Sequence, residues 1–116
     1  MNWVNKERLA ECLDVSIRSV ERYQSLGMPH KKNETDAFKV GWCIHWYIGY
    51  QEAKAYELRE RNGLVLTLFG YAVAGNNQAK LKQKAHELAK VMNYQDIEIG
   101  IAIGILRQRN LIPSRS

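Results

Sequence analysis

Ser16, Arg18, Ser19, Glu21 and Arg22 fall within the seven residues of "SIRSVER". Their types suit contact with a polyanion. An arginine fork matches the two major-groove acceptors of guanine. A serine at a helix N-terminus bonds a phosphate, helped by the free backbone N–H groups there. Glu21 suits the amino group of a cytosine, or a local ion pair with Arg18 or Arg22. His30, Lys31 and Lys32 follow in "HKKN", where the two lysines suit phosphate contacts that carry no sequence information. The same residues also suit an ordinary solvated helix face and a solvated loop, so the elements that carry them decide the matter.

Those elements are readable. Asn5 caps a helix over residues 6–13, with Val4 and Leu9 at hydrophobic-staple spacing and Leu9, Ala10 and Leu13 as its apolar stripe. Asp14 stands at the turn, where the chain needs a left-handed residue that aspartate tolerates. Ser16 caps a second helix, Val15 and Val20 repeat the staple, and Val20 and Tyr23 face inward. Ser16, Arg18, Ser19, Glu21 and Arg22 are thereby left on the outer face or its edges. Gly27 and Pro29 end the unit. Thr35 or Asp36 begins a third helix that runs on through "AFKVGWCIHWYIGYQEAKAYELRERN", with Ala37, Val40, Ile44, Tyr47 and Ile48 on one face.

The second half carries more apolar surface than a three-helix unit needs. Residues 64–74 predict a nearly all-apolar helix, and residues 76–93 an amphipathic one with Leu81, Ala85, Leu88 and Met92 on its stripe. In "DIEIGIAIGILRQRN" the isoleucines alternate as in a strand, but no partner strand is evident and helix is favoured. Trp42, Trp46, Leu66, Phe69, Ile97, Ile101 and Ile105 are the expected contacts of a homo-oligomer, with Tyr47, Tyr50 and Tyr56 crowding the same third helix. Lys80, Lys82, Lys84 and Lys90 read as a solvated face. The fold class is therefore mainly α, a helix-turn-helix unit over residues 1–60 followed by a helical assembly region over residues 61–116.

Composition narrows the function. The 116 residues carry a net charge of +5. Residues 1–54 hold 8 Lys/Arg against 7 Asp/Glu, a difference of only +1, so binding to a polyanion by this half must rest on placement. No catalytic site is expected: paired carboxylates, a nucleophile–base set and a phosphate-cradling glycine loop are all missing from the sequence. Cys12, Cys43, His30, His45 and His86 lack metal-ligand spacing, and no metal or cofactor is expected. Two unpaired cysteines fit a reducing cytoplasm. The first residues are polar and charged and predict no export signal. The longest apolar run, residues 63–75, has 13 positions where a membrane helix needs about 20, so no membrane partner is expected.

"VNKERLA" (4–10), "SIRSVERYQSLGMP" (16–29) and "DAFKVGWCIHWY" (36–47) resemble the N-terminal winged helix-turn-helix domain of lambdoid phage terminase small subunits. The resemblance covers residues 4–60. It implies a non-enzymatic protein that binds double-stranded DNA at a viral packaging site and recruits a terminase large subunit holding ATPase and nuclease activities, inside the bacterial host. It puts Ser16, Arg18, Ser19 and Arg22 on the DNA-reading helix and makes His30–Asn33 the wing, shorter here than in the family. MerR-type regulators and phage excisionases carry similar domains, so a regulator of transcription or recombination is the alternative.

Overall fold

A computed structural model describes residues 3–55, 62–75 and 80–111. The chain is mainly α. In order it forms β1 (Trp3–Val4), α1 (Lys6–Leu13), α2 (Ile17–Ser25), β2 (Phe38–Lys39), α3 (Val40–Ala55), α4 (Gly63–Gly75), α5 (Leu81–Met92) and α6 (Asp96–Gln108). The expected boundary at residue 60, Tyr56, the continuation of the third helix through residues 56–61 and the start of the fifth at residue 76 lie outside the described residues; Asn62, expected at the end of the third helix, is instead the cap of α4.

The first two helices form as their caps dictate. Asn5 is extended, and its Oδ1 accepts the Arg8 N–H at 2.8 Å. Asp14 closes α1 in the left-handed conformation at φ 56°, and its N–H donates back to Ala10 and Glu11. The chain then turns at once into the Ser16 cap, whose Oγ accepts the Ser19 N–H at 3.1 Å. Leu9, Ala10, Val20 and Tyr23 are buried between the helices. Gly27, at φ 106°, takes the chain out of α2 in a conformation that L side chains avoid.

The third helix starts later than expected. Residues 38–39 are extended because they pair antiparallel with residues 3–4, Val4 opposite Phe38 and Trp3 opposite Lys39. Phe38 is buried, and α3 begins only at Val40. Its inward face is also corrected. The core side is Trp42, Cys43, Trp46, Gly49 and Ala53, while Ile44 is exposed and Ile48 only half-buried. A helix apolar on nearly every side gives hydrophobic periodicity little to choose between. Packing chose the face that carries Gly49.

That choice is made by α4, which runs through the centre against α3, α5 and α6. Every side chain from Leu64 to Phe69 is buried, Thr67 among them. The Thr67 hydroxyl is satisfied by donating to the Gly63 carbonyl at 2.6 Å. Asn62 caps the helix, its Oδ1 accepting the Val65 N–H at 2.8 Å. The crossing of α3 with α4 brings two backbones together: a Cβ on Gly49 would strike the Leu66 carbonyl, and one on Gly70 the His45 carbonyl. Gly63 meets the Gly27 carbonyl in the same way, joining the start of α4 to the exit of α2. Leu81, Ala85 and Leu88 of α5 close the core as their stripe predicts.

Residues 96–108 are helical, as favoured over a strand. The Gln95 N–H donates to Glu98 Oε2 at 2.7 Å and starts the helix. Ile99, Ala102, Ile103 and Leu106 turn inward. No helix among the described residues is long and apolar enough to cross a membrane.

Two outcomes follow. Gly70→Ala should lower the urea midpoint by the equivalent of at least about 1–3 kcal/mol, because the obstacle is backbone and has no rotamer to give. A stability equal to wild type would mean that α3 and α4 do not cross at these glycines. Burial pushes the Cys43 thiol up to about 12, whereas Cys12 is exposed. Since the thiolate is the reactive form, a thiol reagent at pH 8 should label Cys12 in the folded protein and Cys43 only after denaturation.

Candidate nucleic-acid interface

Helix α2 is clamped from behind. Tyr23 packs against the rings of Trp46, Tyr47 and Tyr50 of α3 at 5.3–6.1 Å. Trp46 and Tyr50 themselves stack at 4.9 Å. On its flank, Glu21 meets Lys6 of α1 at 3.0 Å. Exposed ion pairs of this kind contribute at most about 1 kcal/mol, so the aromatic cluster sets the helix position and the pair trims its rotation. Glu21 therefore partners Lys6, neither Arg18 nor Arg22.

The opposite face is open to solvent. Ser16, Ile17, Arg18, Glu21, Arg22 and Ser25 are exposed, and Ser19 is half-buried. Arg18 has no side-chain partner among the described residues. Arg22 lies beside the Tyr23 ring, 5.6 Å from its centroid. Ser16 Oγ is engaged twice at the helix start, accepting the Ser19 N–H and donating to Ser19 Oγ at 3.1 Å. The exposed cationic donors of α2 are its two arginines, with the serine pair fixing the helix end.

The loop after α2 is better anchored than its sequence implies. The Lys31 N–H donates to the Ala37 carbonyl at 2.9 Å and closes residues 31–37 into a compact turn. Lys31 Nζ sits 4.0 Å over the Trp3 ring and 3.9 Å from Glu34. The His30 ring nitrogen Nδ1 lies 2.7 Å from the Met28 carbonyl, and the His30 N–H donates to Met92 Sδ at 3.4 Å. Lys32 is exposed, with no partner among the described residues. Of the three residues expected to reach a ligand here, only Lys32 is uncommitted.

A cleft of about 700 Å³ separates this loop from the start of α1 and from the Ile17, Glu21 and Gln24 side of α2. Its charges balance: Lys6, Lys31 and Lys32 face Glu7, Glu21 and Glu34. Arg18 and Arg22 do not line it, so the cationic surface is the ridge of α2 and not the cleft. Among the described residues no group of three or more His, Cys, Asp or Glu is placed to hold a metal.

The residues expected at an assembly surface divide. Trp42, Trp46, Leu66 and Phe69 are inside the protomer and hold its own core. Ile105 is half-buried. Ile97 and Ile101 point outward. Among the four lysines expected to be solvated, Lys84 differs: its Nζ lies 5.2 Å from the Trp42 ring and 5.7 Å from Tyr71, and burial lowers its pKa. Trp3 went unnoticed in the sequence, and Met92 was read only as part of the fifth helix's apolar stripe, because the loop residues they support lie 28 and 62 positions away (31 − 3 and 92 − 30).

Helical chains of this kind, with two short capped helices and a basic loop, span several classes of protein. No family model matches the chain, and no solved structure matches it. Among curated proteins it is similar to the P21 prophage-derived terminase small subunit of Escherichia coli O6:H1, at 42% identity over 48 residues. That stretch is 38% of this chain and 26% of the relative, so the chain spans about a quarter of the length of the protein it matches. The likeness supports the terminase small subunit family.

The His30–Met92 bond makes a local test. Met92→Ala should speed amide exchange at His30 and Lys31 while leaving the amides of α2 unchanged. Unchanged exchange in the loop would show that the turn closed by Lys31 and Ala37 holds it without help from α5.

Proposed function

We propose that this protein is a terminase small subunit-like DNA-recognition protein, built on a winged helix-turn-helix. In this reading α1 and α2 form the helix-turn-helix. The ridge of α2 enters the major groove of double-stranded DNA, and the loop at His30–Asn33 follows the phosphate backbone as a short wing. The observation that carries the reading is the pair of exposed arginines, Arg18 and Arg22, on the outer face of a helix whose opposite face is locked by aromatic rings. A rigid helix with protruding forks can read base edges, whereas a concave site would suit a small molecule. The likeness to a prophage terminase small subunit supports it and points to viral genome packaging.

The roles then divide. Arg18 and Arg22 read bases. Ser16 and Ser19 set the helix end against a phosphate. Glu21 orients α2 through Lys6 and makes no base contact. Lys32, with Lys31 and His30 beside it, holds the backbone. The protein has no catalysis of its own and acts in the cytoplasm of a bacterial host. It delivers the packaging site to a large subunit that carries the ATPase and nuclease. Several copies act together, since a unit this small reads few base pairs and linked readers gain avidity.

Binding to a duplex bearing the viral packaging site and to a random duplex of equal length tests the reading. Arg18→Ala and Arg22→Ala should each cost about 1–3 kcal/mol on the specific duplex and much less on the random one. Lys32→Ala should weaken both alike and reduce the slope of log K against log salt by about 0.9. Equal losses on both duplexes for the arginine variants would make them phosphate contacts and end the base-reading claim. Stimulation of a large subunit's ATPase by the wild-type protein is expected of a packaging subunit and not of a regulator.

A further inference from the structure

Helix α6 carries two glycines that no contact among the described residues explains. A Cβ added at Gly49, Gly63 or Gly70 would strike a neighbouring backbone, but one added at Gly100 or Gly104 meets nothing within 4 Å among the described residues. Each glycine weakens the helix by about 1 kcal/mol against alanine. Both lie beside Ile97 and Ile101, which at 68% and 55% exposure are the most exposed large apolar side chains among the described residues. At about 100° per residue, Ile97, Gly100, Ile101, Gly104 and Gln108 share an arc of about 100°. That arc lies opposite the face that α6 buries.

The charges beside this arc have an order. Asp96 and Arg107 occupy the same flank, one at each end of the helix. Asp96 is almost fully exposed, with His86 at 3.9 Å. The Arg107 side chain has no partner among the described residues. The two glycines are centred on position 102, (100 + 104)/2, and the two charges on 101.5, (96 + 107)/2. A single twofold axis near Ala102 therefore satisfies both.

We propose that α6 packs antiparallel against α6 of a second copy of this chain, around a twofold axis at Ala102. In such a pair each flank faces the same flank of the partner with its ends reversed. Asp96 of each copy then meets Arg107 of the other, twice. Gly100 of each lies against Gly104 of the other, and the helices approach more closely than the about 8–10 Å of ordinary pairs. Ile97 and Ile101 leave water in the same step. In a parallel pair each flank would face the opposite flank of the partner, and Asp96 and Arg107 would not meet. The contact is isologous and closes at two copies. The proposal rests on α6 alone and is independent of what the chain binds.

Sedimentation of the full chain tests it, with Asp96→Arg, Arg107→Asp and the two combined. All are exposed positions, and circular dichroism checks that each variant keeps its helix content. Wild type should dimerise with concentration, each single reversal should raise the dimer Kd about tenfold, and the double reversal should return it to within about twofold. On a Cys12→Ser background, Ile101→Cys should form a disulfide with its own copy under mild oxidation. Ile97→Cys should not, because the axis separates its two copies by about 14 Å along the helices. A wild type that stays monomeric at hundreds of micromolar overturns the proposal, and means that another segment or another protein covers α6. Single reversals without effect, a double reversal that fails to restore, or cross-linking at residue 97 instead of 101 would overturn it equally.

Discussion

Gly49 and Gly70 let the backbones of α3 and α4 touch, and most other positions in the molecule depend on that contact. With no side chain between them, the helices cross too closely for any other register. The crossing fixes which way α3 turns, so Trp46 and Tyr50 face the first half of the chain and receive Tyr23. It also leaves α4 enclosed from Leu64 to Gly70 by α3, α5 and α6, which is why a helix that apolar is stable without a polar face. The exposed ridge of α2 is thus oriented by a contact between two helices that it does not itself belong to.

What could be read from the sequence was mostly local. Asn5, Asp14, Ser16 and Gly27 act within a turn of their own position, through hydrogen bonds and dihedral preferences that neighbouring residues cannot override. The helical stripes of α1, α2 and α5 followed from spacing, because each has one apolar face and one polar one. Helix α3 did not, since its run is apolar around most of the cylinder and the residue that decides its orientation is a glycine. A glycine adds nothing to a hydrophobic pattern; its meaning lies in what approaches it. The two-residue pairing of β1 with β2 was equally hidden, because strands that short have no alternation to detect.

The isoleucines of α6 show the same limit from the other side. Their period of two suggests a strand, yet Ile99 and Ile103 are four apart and share the buried face, while Ile97 and Ile101 share the exposed one. The candidate interface was legible as residue types and only partly as roles. Arg18 and Arg22 are exposed, as their position outside the Val20–Tyr23 stripe requires. Glu21, Lys31, Ser16 and His30 all have partners within the chain, and of these only the Ser16 cap was visible in the spacing. A ligand-like residue in a list of exposed positions is not yet an available one.

The contact between Gly27 and Gly63 has a mechanical side. Side chains at an interface re-pack by changing rotamer and so absorb small displacements; two backbones in direct contact have no such slack. A push on the outer face of α2 cannot be taken up at its exit, and is handed to the start of α4. Because α4 also packs against α5 and α6, the exit of the candidate reading helix is tied through backbone to the one helix that the rest of the second half is built around.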